Sequence, residues 1–511
     1  MTRDFGALCN PGQTDWEDTL RDEHRYQRIP HLPAQINDLR DFQPGKPVFL
    51  SEYGVGSAVD LPRQVLHYEQ IGLGQSEDAD LYRGFYNSFL ADWKKWNMAE
   101  TFGTQENYFR LCVAKMAGLR LTGMNAIRAN PVCVGYSLSG TYDHGSCGEG
   151  ATGTEFRDLK PGATDAMFDS FYPLRLCLFP EPYHVYRGGK VQLKAVVANE
   201  NALLPGEYPI HLQVIDPDHR TVFDKTVKVT IQDPQARPEQ PMAIPFFTED
   251  VVMDGPSGQY QFAAAFVRGG AAAGGTADFY VTDAAEMPGV ETEIAIWGDD
   301  PAVAKWVAQR GVKSHPLAVD RQSGREVIVV GRTPAADTGQ WRGLAEHIAR
   351  GTTAIFLAPQ VFQKGDNPVG WAPLKNKGRL HGGADWFYVH DPWTTKHPIF
   401  DGLPSGGLMD YVFYRSLISD VRWADLEAPA ELVAASINTS FTYDSGILIG
   451  VYKLGAGRFV LNTLGICERL GEDPAAERLL RNMIRYAATE TNKPLADLPS
   501  GFEEQRKEFG Y

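Results

Sequence analysis

The 511-residue chain has no run of apolar residues long enough to cross a bilayer, so no membrane-spanning helix is expected. It has no Lys/Arg cluster interleaved with aromatics, and its formal charge of -15 repels polyanions, which argues against nucleic acid as a partner. Its six cysteines (Cys9, Cys112, Cys133, Cys147, Cys177, Cys467) form no C-x-x-C pair, which excludes a zinc framework. A chain of this size does not need disulfide staples, so buried free thiols are expected, with room for one or two bridges among the five cysteines before residue 180. His144, Cys147 and Glu149 fall short of a metal set, for which two histidines on one face would be the stronger sign. There is no G-x-G-x-x-G, no P-loop lysine and no internal repeat, so nucleotide binding is not expected either.

What is present is the composition of an ordinary globular protein, long enough for roughly two to four domains. Residues 1–178 read as mixed α/β. The apolar run Pro47-Val48-Phe49-Leu50 suits a buried strand, helical spacing covers 77–97 and 104–127, and Pro131–Leu138 reads as a second buried strand. Strand, helices and parallel strand make a βαβ unit. Residues 179–285 change to period-two alternation between turn residues, the pattern of an antiparallel β-sandwich. Residues 286–490 return to βα alternation, with buried-strand runs "EIAIWG", "EVIVVG" and "TAIFLAP", a hairpin turning at Gly455-Ala456-Gly457, and a terminal helix over 474–490. The polar residues 491–511 read as a loose tail.

Within the first region, "KPVFLSEYGVGS" carries one carboxylate, Glu52, where a buried strand meets a glycine-containing turn. The end of such a strand, at the mouth of a parallel sheet or barrel, is where catalytic groups sit. Glycosidic bonds are cut by two carboxyl groups, in the retaining mode roughly 5–5.5 Å apart, one of them a nucleophile that must be ionised and rigidly held.

The segment "KPVFLSEYG" resembles the seventh barrel strand of family 2 glycoside hydrolases, the β-galactosidases, β-glucuronidases and β-mannosidases, whose nucleophile is the glutamate of an [ST]-E-[YF]-G ending. The resemblance implies that Glu52 is the nucleophile. "RDEHRYQRIPH" is similar to the D-x-H-x-Y segment after the sixth strand, which implies Asp22, His24 and Tyr26 near the sugar and Tyr26 hydrogen-bonded to the nucleophile. Arg25 and Gln27 stand where prolines are common in that segment. "PVCVGYSLSGTYDH" occupies the place of the eighth strand, which implies substrate contacts from Tyr142, Asp143 and His144, with Tyr53 beside the nucleophile. A tryptophan common at that strand end is absent. No strand ending in Asn-Glu precedes Glu52, and Asn199-Glu200 lies in the sandwich, so the family's acid/base glutamate has no counterpart.

The fold implied is therefore a partial (β/α)8 (TIM) barrel of about strands six to eight, then an immunoglobulin-like β-sandwich, then a flavodoxin/amidotransferase-like α/β domain, the last on "HPIFDGLP" and the βα pattern. A barrel must close to satisfy its edges. The expectation is thus that the chain is the C-terminal part of a longer enzyme, inactive alone. The substrate implied is a β-linked oligosaccharide or glycoconjugate, and the chemistry requires neither metal nor organic cofactor. The candidate strand "AIFLAPQVF" supplies no nucleophile on a sharp turn, and Cys467 has no histidine partner in its stretch. The third region is accordingly read as non-catalytic, serving packing, homo-oligomer formation or sugar contact, with the aromatic stretch 386–393 at an interface or in the core. The rival reading is a non-catalytic carbohydrate-binding or assembly scaffold derived from such an enzyme.

Overall fold

The computed structural model describes residues 20–24, 26, 33–41, 46–143, 146–153, 157, 159–233, 241–332, 337–382 and 390–511. The first sheet has three parallel strands in sequence order: β1 (Arg21–His24), β2 (Val48–Tyr53) and β3 (Cys133–Leu138). Two long helices connect β2 to β3. Ser76 opens Glu77–Lys95 by accepting from the Ala79 amide (3.3 Å), with three acids in its first turn and two lysines in its last, as the helix dipole favours. Thr104 opens Gln105–Arg128 by accepting from the Asn107 amide (3.2 Å). The strand–helix–parallel-strand unit read from the sequence is thus present, and Val48, Leu50 and Tyr53 are all fully buried against Met116, Leu119 and Met124.

Two antiparallel-dominated sheets, of five and four strands, follow and pack face to face. Alternate residues such as Val191, Leu193 and Ala195 from one sheet meet Ile210, Leu212 and Val214 from the other, which the period-two pattern dictates. The first of these strands, Leu174–Glu181, starts ahead of residue 179 because every residue from Leu174 to Pro180 is buried between the sandwich and the first unit. Cys177 and Phe179 turn to the first unit's core, whereas Leu176 and Leu178 turn to the sandwich.

The third sheet is mixed. Ser314–Pro316, Ile294–Trp297, Val327–Val330, Thr353–Phe356 and Gly457–Asn462 run parallel in that spatial order, then Asp444–Leu454, Glu431–Asn438, Asp391–Thr394 and Gly407–Leu408 continue antiparallel. The expected hairpin turns at Gly455-Ala456, where Gly455 has φ +58° and a Cβ would lie 2.5 Å from the Ala349 carbonyl. The terminal helix is Pro474–Ala488, capped by Asp473.

The tail expected to be loose is docked. Phe502, Phe509 and Tyr511 are buried, and the Tyr511 hydroxyl donates to the Trp371 carbonyl beside Trp341. A polar composition hid three aromatics that together bury one face. Cys112, Cys133, Cys147, Cys177 and Cys467 are free thiols, all buried except the half-buried Cys133, while Cys9 lies outside the described residues.

The third unit also clamps the first. Lys115 pairs with Asp391, the Tyr443 hydroxyl donates to Asp92 (2.6 Å), and the Thr439 and Ser440 hydroxyls donate to the carbonyls of Val59 (3.0 Å) and Ser57 (2.7 Å). One hydrophobic core runs from Phe89, Phe102 and Tyr108 of the first unit to Trp393 and Trp423 of the third.

Candidate active site

Glu52 sits one residue before the end of β2, at the C-terminal ends of the parallel strands. Regular alternation would put Glu52 on the face of Val48 and Leu50. Instead, the β2–β3 register shifts between Leu50 and Tyr53, and the β1–β2 register shifts between Glu23 and His24. This irregularity re-aims the strand end, so Ser51 and Glu52 both lie off the buried set while Tyr53 returns to it.

The Tyr26 hydroxyl donates to Glu52 Oε2 at 2.6 Å, and His24 Nδ1 lies 3.4 Å from the same oxygen. Ser51 Oγ donates to Asp22 Oδ1 (2.6 Å), because an ionised carboxylate can only accept. His24 Nε2, 2.7 Å from Ser51 Oγ, must then carry the proton it shares with that oxygen. Its Nδ1 faces Glu52. Asp22, Ser51, His24 and Glu52 thus form one continuous polar chain across β1 and β2. Asp22 is buried at one end, and the Glu52 side chain is 44% exposed at the other.

Burial, and then the bond to Glu52, push the Tyr26 phenol far above its ordinary range, so it remains a donor wherever the protein is folded. A phenol and an imidazole thus orient a carboxylate that stays open to solvent, an arrangement able to support nucleophilic attack. Among the described residues no group of three or more His, Cys, Asp or Glu side chains is arranged to hold a metal ion.

The remaining residues implied by the resemblance are dispersed. Tyr53 is fully buried in the core of the first unit and cannot touch a ligand there; burial lifts its phenol far above the normal range. Tyr142 is 41% exposed, with the Arg157 guanidinium 4.3 Å above its ring. Asp143 is buried, where Lys160 Nζ (2.7 Å) and the Gly150 amide (2.8 Å) donate to it. Lys160 also donates to the Gly148 carbonyl (2.8 Å) and Ser57 Oγ (3.2 Å), so this pair ties loops together beside a cavity of about 470 Å³. His144, Arg25 and Gln27 lie outside the described residues, as do 386–389 of the aromatic stretch.

Three further residues lie near Glu52: Ser51, which fills the hydroxyl position of the [ST]-E-[YF]-G ending, Ser139, and Glu149, which was weighed above only against a metal role. Ser51 and Ser139 are ordinary strand-end hydroxyls. Glu149 is wholly buried and accepts from Ser139 Oγ at 2.9 Å. Its one sequence signal is the flanking pair Gly148 and Gly150, where a Cβ would lie 2.1 Å from the Ser57 carbonyl oxygen and the Asp143 amide nitrogen, respectively.

No family model matches the chain, and no curated protein matches it. Among solved structures it is similar to a β-D-mannosidase from Dictyoglomus thermophilum (10% identity, TM-score 0.28), over 45% of this chain and 27% of that one. It is similar to a putative ThuA-like protein from Bacteroides uniformis (10% identity, TM-score 0.28), over 42% of this chain and 97% of that one. A third likeness is to a β-glucosidase from Listeria innocua (13% identity, TM-score 0.16), over 22% of this chain and 16% of that one. The chain thus spans 27% of the mannosidase's length. Likenesses this distant assign no activity, and the chemistry has to be argued from the side chains.

Proposed function

We propose that the strand ends around Glu52 are the nucleophile half of a retaining β-glycosidase site of the family 2 type, acting on β-linked oligosaccharides or glycoconjugates. The observation that supports it is the 2.6 Å bond from Tyr26 to a solvent-facing Glu52 at the C-terminal ends of β1 and β2. Glu52 attacks the anomeric carbon, the leaving-group oxygen departs with the bonding electrons, and water releases the glycosyl-enzyme. Tyr26 and His24 orient the carboxylate. The acid/base carboxyl comes from polypeptide outside the described residues.

Covalent trapping tests this directly. A panel of 2-deoxy-2-fluoro-β-glycosides with a strongly acidic leaving group needs no acid catalyst for the first step. Digestion and mass spectrometry should then find one fluoroglycosyl adduct, on Glu52. No adduct from any sugar of the panel, with the fold intact, would sink the reading.

The alternative, an assembly scaffold, is favoured for the third unit by its clamp on the first through Lys115–Asp391, Tyr443–Asp92, Thr439 and Ser440. In that view the third unit supports the site and performs no chemistry of its own.

A further inference from the structure

Where the third unit meets the turns beyond β2 and β3, it does so through the connection between Glu431–Asn438 and Asp444–Leu454. Ser440 in this connection holds both turns: its hydroxyl donates to the Ser57 carbonyl (2.7 Å) and accepts from the Gly148 amide (3.2 Å). A Cβ on Gly148 would lie 2.8 Å from that hydroxyl, so glycine is what allows the approach. Phe441, next along the chain, is fastened by its backbone. Its amide donates to the Ser146 carbonyl (2.7 Å), and its carbonyl accepts from Ser146 Oγ (3.4 Å).

Phe441 differs from the residues that make this clamp. Its φ is +60°, in the left-handed region that a bulky side chain avoids and that glycine or asparagine occupies at little cost. It is 40% exposed, directly after the fully buried Thr439 and Ser440. Packing alone explains neither feature, since a core contact would bury the ring and a plain turn would use glycine. Backbone strain of this kind persists where the surroundings over-determine it, and it collects at ligand clamps. The same rim carries a second exposed ring, Tyr142, at 41%. The segment bearing Tyr142 and Ser146 closes on itself, with the Asp143 amide donating to the Thr152 carbonyl (2.8 Å) and the Ala151 amide to the Thr141 carbonyl (3.1 Å). Both rings are therefore tied to one loop, the loop that follows β3.

We propose that Phe441 is a sugar-binding residue of the Glu52 site, a platform lent by the third unit to a pyranose ring of a β-linked oligosaccharide. The C–H groups of a pyranose make an apolar face that rests on the negative face of an aromatic ring, while its hydroxyls stay in water. An exposed ring on an otherwise polar rim suits that two-sided ligand. Because Phe441 sits on the outer turns and not at the strand ends, it serves a ring beyond the one that Glu52 attacks. This rests on the reading of Glu52 as the reacting carboxylate.

The test is calorimetric titration of the intact chain with β-linked tetrasaccharides of glucose, mannose, galactose and N-acetylglucosamine in turn. The parent should bind at least one of them, and Phe441→Gly should weaken that binding about tenfold or more. Since glycine accepts this φ freely, the variant should melt within about 2 °C of the parent. Phe441→Tyr keeps a ring and should keep the affinity within about threefold. An unchanged affinity in folded Phe441→Gly overturns the proposal, as does a parent that binds none of the tetrasaccharides. An equal loss in Phe441→Tyr would trace the effect to the loop and not to the ring, and overturns it too. Should Phe441→Gly fail to fold, Phe441→Asn, which also tolerates the left-handed region, takes its place with the same expected loss. Failure of both to fold would make the ring structural and overturn the proposal equally. Trapping with monosaccharide fluoroglycosides reports on Glu52 alone, so failure of the glycosidase reading and failure of this one are separate results.

Discussion

Among the described residues, the first and third sheets each gather the ends of three or more parallel strands, and they use their polar residues differently. In the third unit the ends of Ile294–Trp297 and Val327–Val330 meet at a point where the spatial order reverses, the crevice where α/β sheets bind ligands. Yet Asp300 is consumed there: it accepts from the amides of Ala302 (2.9 Å), Val303 (3.3 Å) and Arg332 (3.1 Å) and from Arg332 Nε (3.0 Å). Asn462, at a neighbouring strand end, donates to the Leu357 and Leu464 carbonyls. Glu52, at the ends of the first sheet, is held at one carboxylate oxygen by one phenol and one ring nitrogen and keeps an exposed side chain. Position at a strand end is therefore not enough. Bonds that saturate a carboxylate make it structural, while a single orienting bond leaves it available for chemistry.

Exchanging the two roles should give opposite results. Glu52→Gln should eliminate covalent trapping while moving the melting temperature by less than about 2 °C, since it alters a half-exposed group with few partners. If Glu52→Gln instead prevented folding, the carboxylate would be structural and the contrast with Asp300 would collapse. A variant as reactive as the parent would have the same consequence for the site.

On stability alone the third unit should show the larger effect. Trp341 is buried, stacked on Trp371 with 5.7 Å between ring centroids and edge-on to Trp297 at 4.8 Å. Trp341→Ala should cost about 3–5 kcal/mol in denaturant unfolding. Because the first and third units share a core, one cooperative transition should shift; separate transitions for the two units would show that the clamp does not couple them.

Much of this architecture is readable locally and much of the site is not. The apolar run before Glu52, the Ser76 and Thr104 helix starts and the glycine turn at 455 are short-range signals, and each appears where the pattern puts it. The irregularity that turns Ser51 and Glu52 out together depends on neighbouring strands, so alternation within β2 does not reveal it. Tyr53, next in sequence to Glu52, goes to the core for the same reason. Glu149 lies against turns that come from chain segments up to about a hundred residues away, and its glycine neighbours are the only local sign of that packing. Lys115–Asp391 and Tyr443–Asp92 join residues separated by 276 and 351 positions, beyond any periodicity. The tail was misleading because its charged residues outnumber the three aromatics that dock it.

Asp300 supplies the pH test of the comparison. Burial raises its carboxyl pKa, but the amide and guanidinium donors of Arg332 and the Val303 amide outweigh burial and hold it below its ordinary value. A folded-state value below the unfolded one means that this stabilisation is fully present above the ordinary carboxylate range and is lost as pH falls through the lower, folded value. Asp300→Asn should cost about 2 kcal/mol at neutral pH, and the difference from the parent should shrink below about pH 4. Trapping at Glu52 should be unaffected. A loss of trapping in a folded Asp300→Asn protein would show that the two sets of strand ends are linked.

The smallest effect is the most informative about the site. Tyr26→Phe removes a single hydrogen bond to a partly exposed carboxylate and leaves the ring in place against Gly54. The lost charged hydrogen bond corresponds to about 1.4 kcal/mol in orienting Glu52, roughly a tenfold slower trapping at neutral pH. Slower trapping in a folded Tyr26→Phe protein therefore identifies Tyr26 as the group that aims Glu52. A rate within a factor of about two of the parent would show that the phenol does not, and the 2.6 Å bond would no longer support a catalytic reading of this strand end.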